Sequence, residues 1–361
     1  MSFAWKPNWP DTREHMLAWW RREGLILGSG GAPPAPQPHE QVVDPGPAPS
    51  IEAYYAEAEA RARRNHYQLS RQAFPADVLP VSGTDIGPGS LALALGSEPG
   101  FSPETVWFNP CMADDLHPET RPPLRLDPDS RWWQVHEDTL RACARLAGNN
   151  YAVGCPDLIE NLDALASLRG TQNVLVDMIE RPDWVTAKIG DINAAWFEAY
   201  DRVYQIIRLP DGGSVFGAFR LWGLGKTAKV QCDASAMISP AMFQRFVVPA
   251  LAAQCEWLDH SMFHLDGAHC LRHLDALLAI DALDAVEWTP NPKVPSGGDP
   301  AWYGLYRRIL AAGKSVQAVG VRPDEVLPLL DAVGGEGMYI MTYFDTVAQA
   351  EELAQQVEPY R

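Results

Sequence analysis

Short apolar segments alternate with amphipathic segments along most of the chain. Residues 11–23 and 50–72 carry apolar side chains at helical spacing, which predicts helices, and the apolar run at residues 24–28 predicts a buried strand. From residue 228 onward the alternation is regular. There the pattern predicts strands at 228–233, 262–266, 284–288, 315–319 and 337–343, and helices at 240–260, 270–281, 300–312, 323–333 and 346–357.

The first 227 residues are less regular. Glycine and proline are concentrated between residues 28 and 50, which predicts a long loop. Near the end of the predicted helix 50–72, Arg61, Arg63 and Arg64 are expected to form a solvated face. The remaining pattern predicts a strand and loop at 76–87, an irregular region to about 128, a helix at 130–148, a strand at 151–155, helices across 157–207 and a hairpin at 217–225.

Strands that alternate with helices pair in parallel through right-handed crossovers. About eight such strands favour an α/β fold with a closed (β/α)8 TIM-type barrel, and a doubly wound sheet is the alternative. In the barrel interpretation, residues 1–75 form an N-terminal extension, with a helix, a Pro/Gly-rich loop and a second helix. This extension packs on a barrel formed by residues 76–361, and the two parts are expected to form one structural domain.

Composition and charge exclude several classes of function. The 46 acidic and 29 basic residues give a formal charge of -17, which argues against nucleic acid and anionic membranes as partners. No apolar run approaches the roughly 20 residues of a membrane span, and the N-terminus lacks a signal-peptide core. We therefore expect a cytoplasmic protein whose six scattered cysteines are reduced, with most of them buried. No dinucleotide fingerprint, P-loop or Gly-x-Ser-x-Gly elbow is present.

Polar residues follow the ends of several predicted strands. In a barrel these strand ends meet at one mouth, where the βα loops carry the chemistry. His264 and Asp266 are two residues apart on one strand, so their side chains share a face. A core histidine beside a helix N-cap aspartate is the structural alternative for this pair. The other strand-end candidates are Asp85, Cys232, Asp233, Glu287, Trp288, Gln317, Thr342, Tyr343 and Asp345.

Four segments resemble the uroporphyrinogen decarboxylase superfamily, which includes the methylcobalamin:thiol methyltransferases. Residues 238–249 are similar to its S-P-x-x-F…P helix, and residues 263–267 to its H-x-C-G or H-x-x-G strand end. Residues 320–326 are similar to its G-x-P-E-x-V helix start, and residues 84–86 to its S-D-I segment. The resemblance covers most of the chain from about residue 75 and implies a single (β/α)8 barrel with its pocket at the C-terminal mouth.

The resemblance is closer to the methyltransferase branch than to true uroporphyrinogen decarboxylases. The decarboxylases bind their polyanionic substrate through an M-R-Q-A-G-R segment, which this acidic chain lacks. The methyltransferases hold zinc with one histidine and two cysteines. His264 matches the zinc histidine, but Asp266 replaces the next cysteine, and the late cysteine falls near residues 341–342. The resemblance therefore implies a metal site formed by His264 and Asp266 and completed by Cys232, Glu287 or Asp345, or a site without metal.

The resemblance implies that methyl transfer between a corrinoid, methylcobalamin, and a small acceptor or donor is the function. Asp85, Asp266, Glu287 and Tyr343 are then candidate catalytic residues, while Asp233, Trp222, Trp288 and Gln317 are candidates for binding substrate or cofactor. The implied partners are a small-molecule substrate, a corrinoid protein and a second copy of the chain in a homodimer. A decarboxylase or lyase for a smaller substrate, in which Asp85 acts with Tyr343, and a non-catalytic binding barrel are the alternatives.

Overall fold

The computed structural model describes residues 2–102 and 105–361. Its helices are α1 (Trp9–Trp20), α2 (Ile51–Ala56), α3 (Ala58–Ser70), α4 (Leu91–Ala94), α5 (Arg131–Ala147), α6 (Asn161–Arg169), α7 (Thr171–Glu180), α8 (Pro182–Ile207), α9 (Pro240–Phe246), α10 (Val248–Trp257), α11 (Leu274–Leu278), α12 (Tyr303–Ala311), α13 (Val326–Val333) and α14 (Val347–Val357). Its strands are β1 (Ile26–Ser29), β2 (Val81–Ser82), β3 (Glu98–Phe101), β4 (Val106–Asn109), β5 (Ala152–Cys155), β6 (Gly213–Phe216), β7 (Leu221–Leu224), β8 (Thr227–Gln231), β9 (His260–Asp266), β10 (Ala285–Thr289), β11 (Ser315–Val319) and β12 (Met338–Thr342).

The five strands predicted from residue 228 onward, β8 to β12, lie in one sheet that is parallel throughout. It has six strands in the order β1-β12-β11-β10-β9-β8. A second sheet has the order β2-β5-β6-β7, in which β6 and β7 form an antiparallel hairpin. The sequence therefore predicted correctly that helices connect parallel strands.

The two sheets are joined by side-chain hydrogen bonds in the described part of the chain. At one junction, Asp77 accepts from the Leu27 backbone N–H at 2.9 Å. At the other, the Ser214 hydroxyl donates to the Gly225 carbonyl at 2.7 Å and accepts from the Thr227 N–H at 3.2 Å. Strand pairing thus establishes a mostly parallel α/β fold. It does not confirm a closed ring of eight hydrogen-bonded strands.

Two long predicted helices are interrupted. The predicted helix 50–72 is divided into α2 and α3 at Glu57, whose φ of -88° and ψ of 85° are not helical. The predicted helix 240–260 is divided at Val247, two residues before Pro249, which has no N–H to continue the helical hydrogen bonding. The predicted irregular region to residue 128 contains α4 and the β3–β4 hairpin, and its residues 103–104 lie outside the described residues.

The prediction that Arg61, Arg63 and Arg64 form a solvated face is wrong for two of them. Arg63 is exposed, but Arg61 and Arg64 are only 5% and 8% exposed. Their guanidinium groups donate to backbone carbonyls, Arg61 to Asp85 at 2.5 Å and Arg64 to Tyr54 at 2.9 Å. Helical spacing places charges on a face, but it does not show which charges the tertiary structure buries.

The core contains many aromatic side chains. Six tryptophans are at most 2% exposed, namely Trp9, Trp19, Trp133, Trp196, Trp222 and Trp288. All six cysteines are free thiols, and each except Cys111 is buried, as predicted. Among the described residues, the helices are too short or too polar for any of them to traverse a lipid bilayer.

Candidate metal centre

Three possible metal ligands converge at the carboxyl ends of β8 and β9. Asp233, His264 and Asp266 each offer one ligand atom, and these atoms all lie within 4.8 Å of one another. His264 and Asp266 share a face of β9, while Asp233 follows the end of β8, the next strand in the sheet. His264 and Asp266 were predicted to bind metal, whereas Asp233 was predicted to bind substrate or cofactor. The structure places Asp233 with the other two as a possible third ligand.

The imidazole of His264 is oriented by Glu287. The parallel register places Glu287 of β10 directly beside His264 of β9. The His264 Nδ1–H donates to the Glu287 carboxylate, which also accepts from the Thr289 hydroxyl at 2.5 Å. Glu287 is completely buried. This contact leaves Nε2 of His264 available to a metal, and a carboxylate behind a histidine is a common outer partner in metal sites.

The backbone around Asp233 is fixed by Asp163 on α6. The Asp163 carboxylate accepts from the backbone N–H groups of Asp233, at 2.7 Å, and Ala234, at 2.8 Å. In addition, the Gln231 side chain donates to the Asp233 carboxylate at 2.9 Å. The Asp233 carboxylate is therefore held by a loop whose amides are already satisfied by Asp163.

Asp266 is positioned by the turn that ends β9. Gly267 has a φ of +79°, and its backbone N–H donates to the Thr289 carbonyl at 3.0 Å. A Cβ atom at this position would lie 2.3 Å from the Asn291 side chain. The Asn291 side chain in turn accepts from the Ala268 backbone N–H at 2.8 Å. Only glycine fits this turn without strain.

The acidic groups of the centre repel one another. Asp233 is exposed as a residue, but the protein atoms around its carboxylate partly desolvate it, and together with the neighbouring Asp163 carboxylate they raise its pKa to about 6. Burial opposes protonation of His264, but Glu287 more than offsets that effect and raises the pKa of the imidazole. Several oxygen donors therefore surround one imidazole, and a cation bound among them would relieve the repulsion between the carboxylates.

A buried polar network lies behind the centre. Lys229 on β8 is completely buried and forms an ion pair of 2.7 Å with Asp157. Its ammonium group also donates to the Gln231 side chain, while Glu160 accepts from the Gln231 backbone N–H at 2.5 Å. Burial raises the pKa of Glu160 to about 8, despite the opposing effect of Lys229. Through Gln231 this network connects to Asp233.

The three-residue group found among the described residues does not include the other predicted site residues. Cys232 is buried, and burial raises the pKa of its thiol well above the ordinary value, which disfavours the thiolate that a metal would require. Gln317 is buried and donates to the Phe219 carbonyl at 2.9 Å. Trp222 packs against Trp9, and Trp288 against Trp302.

Tyr343 and Asp345, which follow β12, are both exposed, Tyr343 to 52%. Their ligand or catalytic roles stay predictions.

Asp85 lies in the loop that follows β2 of the second sheet. Its carboxylate accepts from the Asp157 backbone N–H at 2.6 Å, and burial raises its pKa. Asp157 is the partner of Lys229, so Asp85 is connected to the same buried polar network.

Sequence reasoning missed the residues that support the centre. Asp163 and Gln231 hold the Asp233 loop, and Phe219 packs on His264 with ring centroids 4.9 Å apart. Lys229 and Gln231 are two residues apart on β8, as His264 and Asp266 are on β9. The spacing on β8 therefore indicated that Lys229 and Gln231 share a face of the strand. Asp163 and Phe219 lie on a helix and in a hairpin turn, where spacing gives no such indication.

Comparison with known proteins identifies the fold. No family model matches the chain, and no curated protein sequence is similar to it. A methyltransferase from Methanosarcina mazei matches in structure with a TM-score of 0.61 at 11% identity, over 96% of this chain and 98% of that chain. A B12-independent methionine synthase from Shewanella sp. W3-18-1, in complex with selenomethionine, matches with a TM-score of 0.50 at 10% identity, over 92% of this chain and 96% of that chain. Both neighbours have the uroporphyrinogen decarboxylase-like fold, which agrees with the mostly parallel α/β fold expected from the sequence, whereas the closed (β/α)8 barrel is not confirmed.

Proposed function

We propose that this protein is a methyltransferase that transfers a methyl group between a corrinoid and a small acceptor or donor at a metal site formed by Asp233, His264 and Asp266. The observation that carries the proposal is the convergence of these three ligand atoms within 4.8 Å at the strand ends. The names of the fold neighbours, a methyltransferase and a methionine synthase, support methyl transfer in general. The methionine synthase is named as B12-independent, so the corrinoid part of the proposal rests on the sequence resemblance.

The donor set fits zinc. Zinc accepts histidine nitrogen and carboxylate oxygen, and catalytic zinc sites keep one position open beside three protein ligands. Asp266 stands where the resembling family has a cysteine, so this set is harder and suits an oxygen acceptor as well as a thiol. A bound zinc ion would act as a Lewis acid that lowers the pKa of the bound acceptor, and a corrinoid would carry the methyl group.

The residues of the chain have separable roles in this proposal. Glu287 holds the proton on Nδ1 of His264 and so fixes the ring orientation that presents Nε2. Asp233 and Asp266 supply the negative charge that retains a cation. Phe219 packs against the imidazole at a tilted angle and so limits its movement.

A methyl-transfer assay tests the proposal. Zinc-loaded protein is mixed with methylcobalamin and a panel of small thiols and alcohols, and loss of the methylcobalamin absorption is followed. We expect acceptor-dependent turnover that His264→Ala abolishes. The exposed His269, three residues beyond Asp266, provides the matched control, because His269→Ala leaves the three ligands intact. Turnover that is unchanged in His264→Ala contradicts the proposal.

Decarboxylation of a smaller acid is the second candidate, and Asp85 is the observation that favours it. A partly buried carboxyl group with a raised pKa is suited to hold and deliver a proton. This candidate predicts release of carbon dioxide from a small carboxylic acid, and loss of that release in Asp85→Asn. Undiminished release by Asp85→Asn excludes this role for Asp85.

A further inference from the structure

A polar cavity lies beside the four-stranded sheet, between α3, β2 and the turn that joins β6 to β7. Its volume is 250 Å³, and its lining includes two arginines and one carboxylate, from Arg61, Arg220 and Asp85. Asn65, Gln68 and Ser82 add neutral hydrogen-bonding groups. The cavity is therefore small, polar and rich in hydrogen-bond donors.

The two arginines lack anionic partners. The Arg61 side chain donates through Nη2 to the Asp85 carbonyl, and Arg220 donates through Nη2 to the Gly30 carbonyl at 3.0 Å. Within the described part of the chain, neither guanidinium group forms a salt bridge. Arg61 is 5% exposed, and its Nη1 is buried without any hydrogen-bond partner. A buried charged donor that is left unpaired carries a high energetic cost.

The charge of the cavity is positive. Burial lowers the pKa of both arginines, although both remain protonated because the guanidinium group is such a strong base. Asp85 contributes the only lining carboxylate among the described residues, and its Oδ1 already accepts from the Asp157 N–H. Asp157 itself is paired with Lys229. One carboxylate thus faces two guanidinium groups, which leaves a positive charge without a counterion.

Two consecutive residues connect the cavity to the candidate metal centre. Phe219 packs on His264, and the next residue, Arg220, lines the cavity. Both are held by buried side chains, since Gln317 donates to the Phe219 carbonyl and Tyr339 donates to the Arg220 carbonyl at 3.1 Å.

We propose that Arg61 and Arg220 form a binding site for the carboxylate group of a small organic acid. The planar guanidinium fork matches the two oxygens of a carboxylate, and the bound anion supplies the counterion that the chain lacks. The further assignment of this acid as the small substrate of methyl transfer rests on the proposed function. The binding of the anion itself does not.

A purely structural role for these arginines makes a different prediction. If Arg61 only tied α3 to the Asp85 carbonyl, all its buried donors would be expected to have partners, whereas Nη1 has none. Arg64 on the same helix provides the comparison. Arg64 is also buried, its Nε has no partner, and it lies over Tyr54 as Arg61 lies over Tyr55. Unlike Arg61, it does not line the cavity, so it is a control for burial alone.

Thermal unfolding at constant ionic strength tests the site. Acetate and glycolate are the carboxylate probes, acetamide is the neutral isostere of acetate, and inorganic phosphate distinguishes a general oxyanion site from a carboxylate site. We expect the two carboxylates to raise the unfolding temperature of the full-length protein in a saturable manner, with acetamide and phosphate having little effect. Arg61→Met and Arg220→Met should weaken this binding by about tenfold or more, because each removes charge-assisted hydrogen bonds. Arg64→Met should retain it.

The outcomes separate this inference from the proposed function. Carboxylate stabilisation that persists in His264→Ala supports the site even if methyl transfer is not found. No stabilisation of the wild-type protein by either carboxylate overturns the inference, as does equal stabilisation of the wild type and Arg61→Met. Stabilisation by phosphate as strong as by acetate overturns the assignment to a carboxylate. If Arg61→Met does not fold, Arg61→Lys serves instead, because it keeps the charge but loses the planar fork.

Discussion

The side chains of the metal centre differ in what they contribute. Asp233, His264 and Asp266 bring donor atoms together, whereas Glu287 acts on the centre only through His264 Nδ1. His264 and Asp266 could be predicted because alternate residues of a strand share a face. The role of Glu287 could not, since it depends on the register between β9 and β10. The sequence predicted that Glu287 lies at the same end of the sheet as His264. It gave no indication that the Glu287 carboxylate contacts Nδ1 of the histidine.

Replacing Glu287 with glutamine should weaken metal binding by about 10–100-fold, as is typical when the outer partner of a metal-binding histidine is changed. Glutamine can still accept from Nδ1–H, but it lacks the negative charge that makes the imidazole a stronger ligand. The measurement is a competition titration against a metal chelator. Glu137→Gln is the control, because Glu137 is a buried glutamate on α5 that interacts with Arg141 and Arg202. Equal metal affinity in wild type and Glu287→Gln would show that the contact has no such role.

Glu160 should make folding stability depend on pH. Its pKa is about 8 in the folded protein, against an ordinary value of 4.5, so between these values the folded chain holds a proton that the unfolded chain has lost. The stability contributed by this proton is complete below the ordinary pKa and is lost as the pH rises through the folded value. Relative to Glu160→Gln, the wild type should lose as much as about 1.4 kcal/mol per pH unit in this window. Denaturant unfolding between about pH 5 and pH 8 measures the difference, and a constant difference would contradict the prediction.

At the scale of elements, the turns after the strands determine where the chemistry lies. The alternation of strands and helices from residue 228 could be predicted, because buried strands and amphipathic helices have distinct periods. The helix breaks at Glu57 and Val247 were missed, although Pro249 is a recognisable local signal for the second. The burial of Arg61 was also missed, since it depends on how α3 packs in the folded protein.

Gly267 allows a direct test of one such turn. We expect Gly267→Ala to destabilise the fold by about 1 kcal/mol or more, because alanine at a φ of +79° is strained and its Cβ would clash with Asn291. Metal affinity should fall as well, since Asp266 precedes this turn. Gly304→Ala is the matched control, because Gly304 lies in α12 and a Cβ there meets nothing within 4 Å. That control should stabilise the protein by up to about 1 kcal/mol. A Gly267→Ala variant as stable as wild type would contradict the account of the turn.

At the scale of the molecule, the fold places two different kinds of site side by side. The metal centre lies on the six-stranded sheet, the arginine-lined cavity lies beside the second sheet, and Phe219 and Arg220 connect them. The α/β fold could be predicted from the alternation and from the resemblance. The cavity could not, because Arg61 and Arg220 are 159 positions apart in the printed sequence and belong to no common motif.

Metal content is the most direct test of the central claim that Asp233, His264 and Asp266 hold a metal. The protein is purified without chelators, equilibrated with zinc, freed of excess metal and analysed by mass spectrometry. We expect near-stoichiometric zinc in the wild type and in His269→Ala, and loss of that zinc in His264→Ala. Absence of retained zinc in the wild type, or equal zinc in wild type and His264→Ala, would show that these three residues do not form a zinc site.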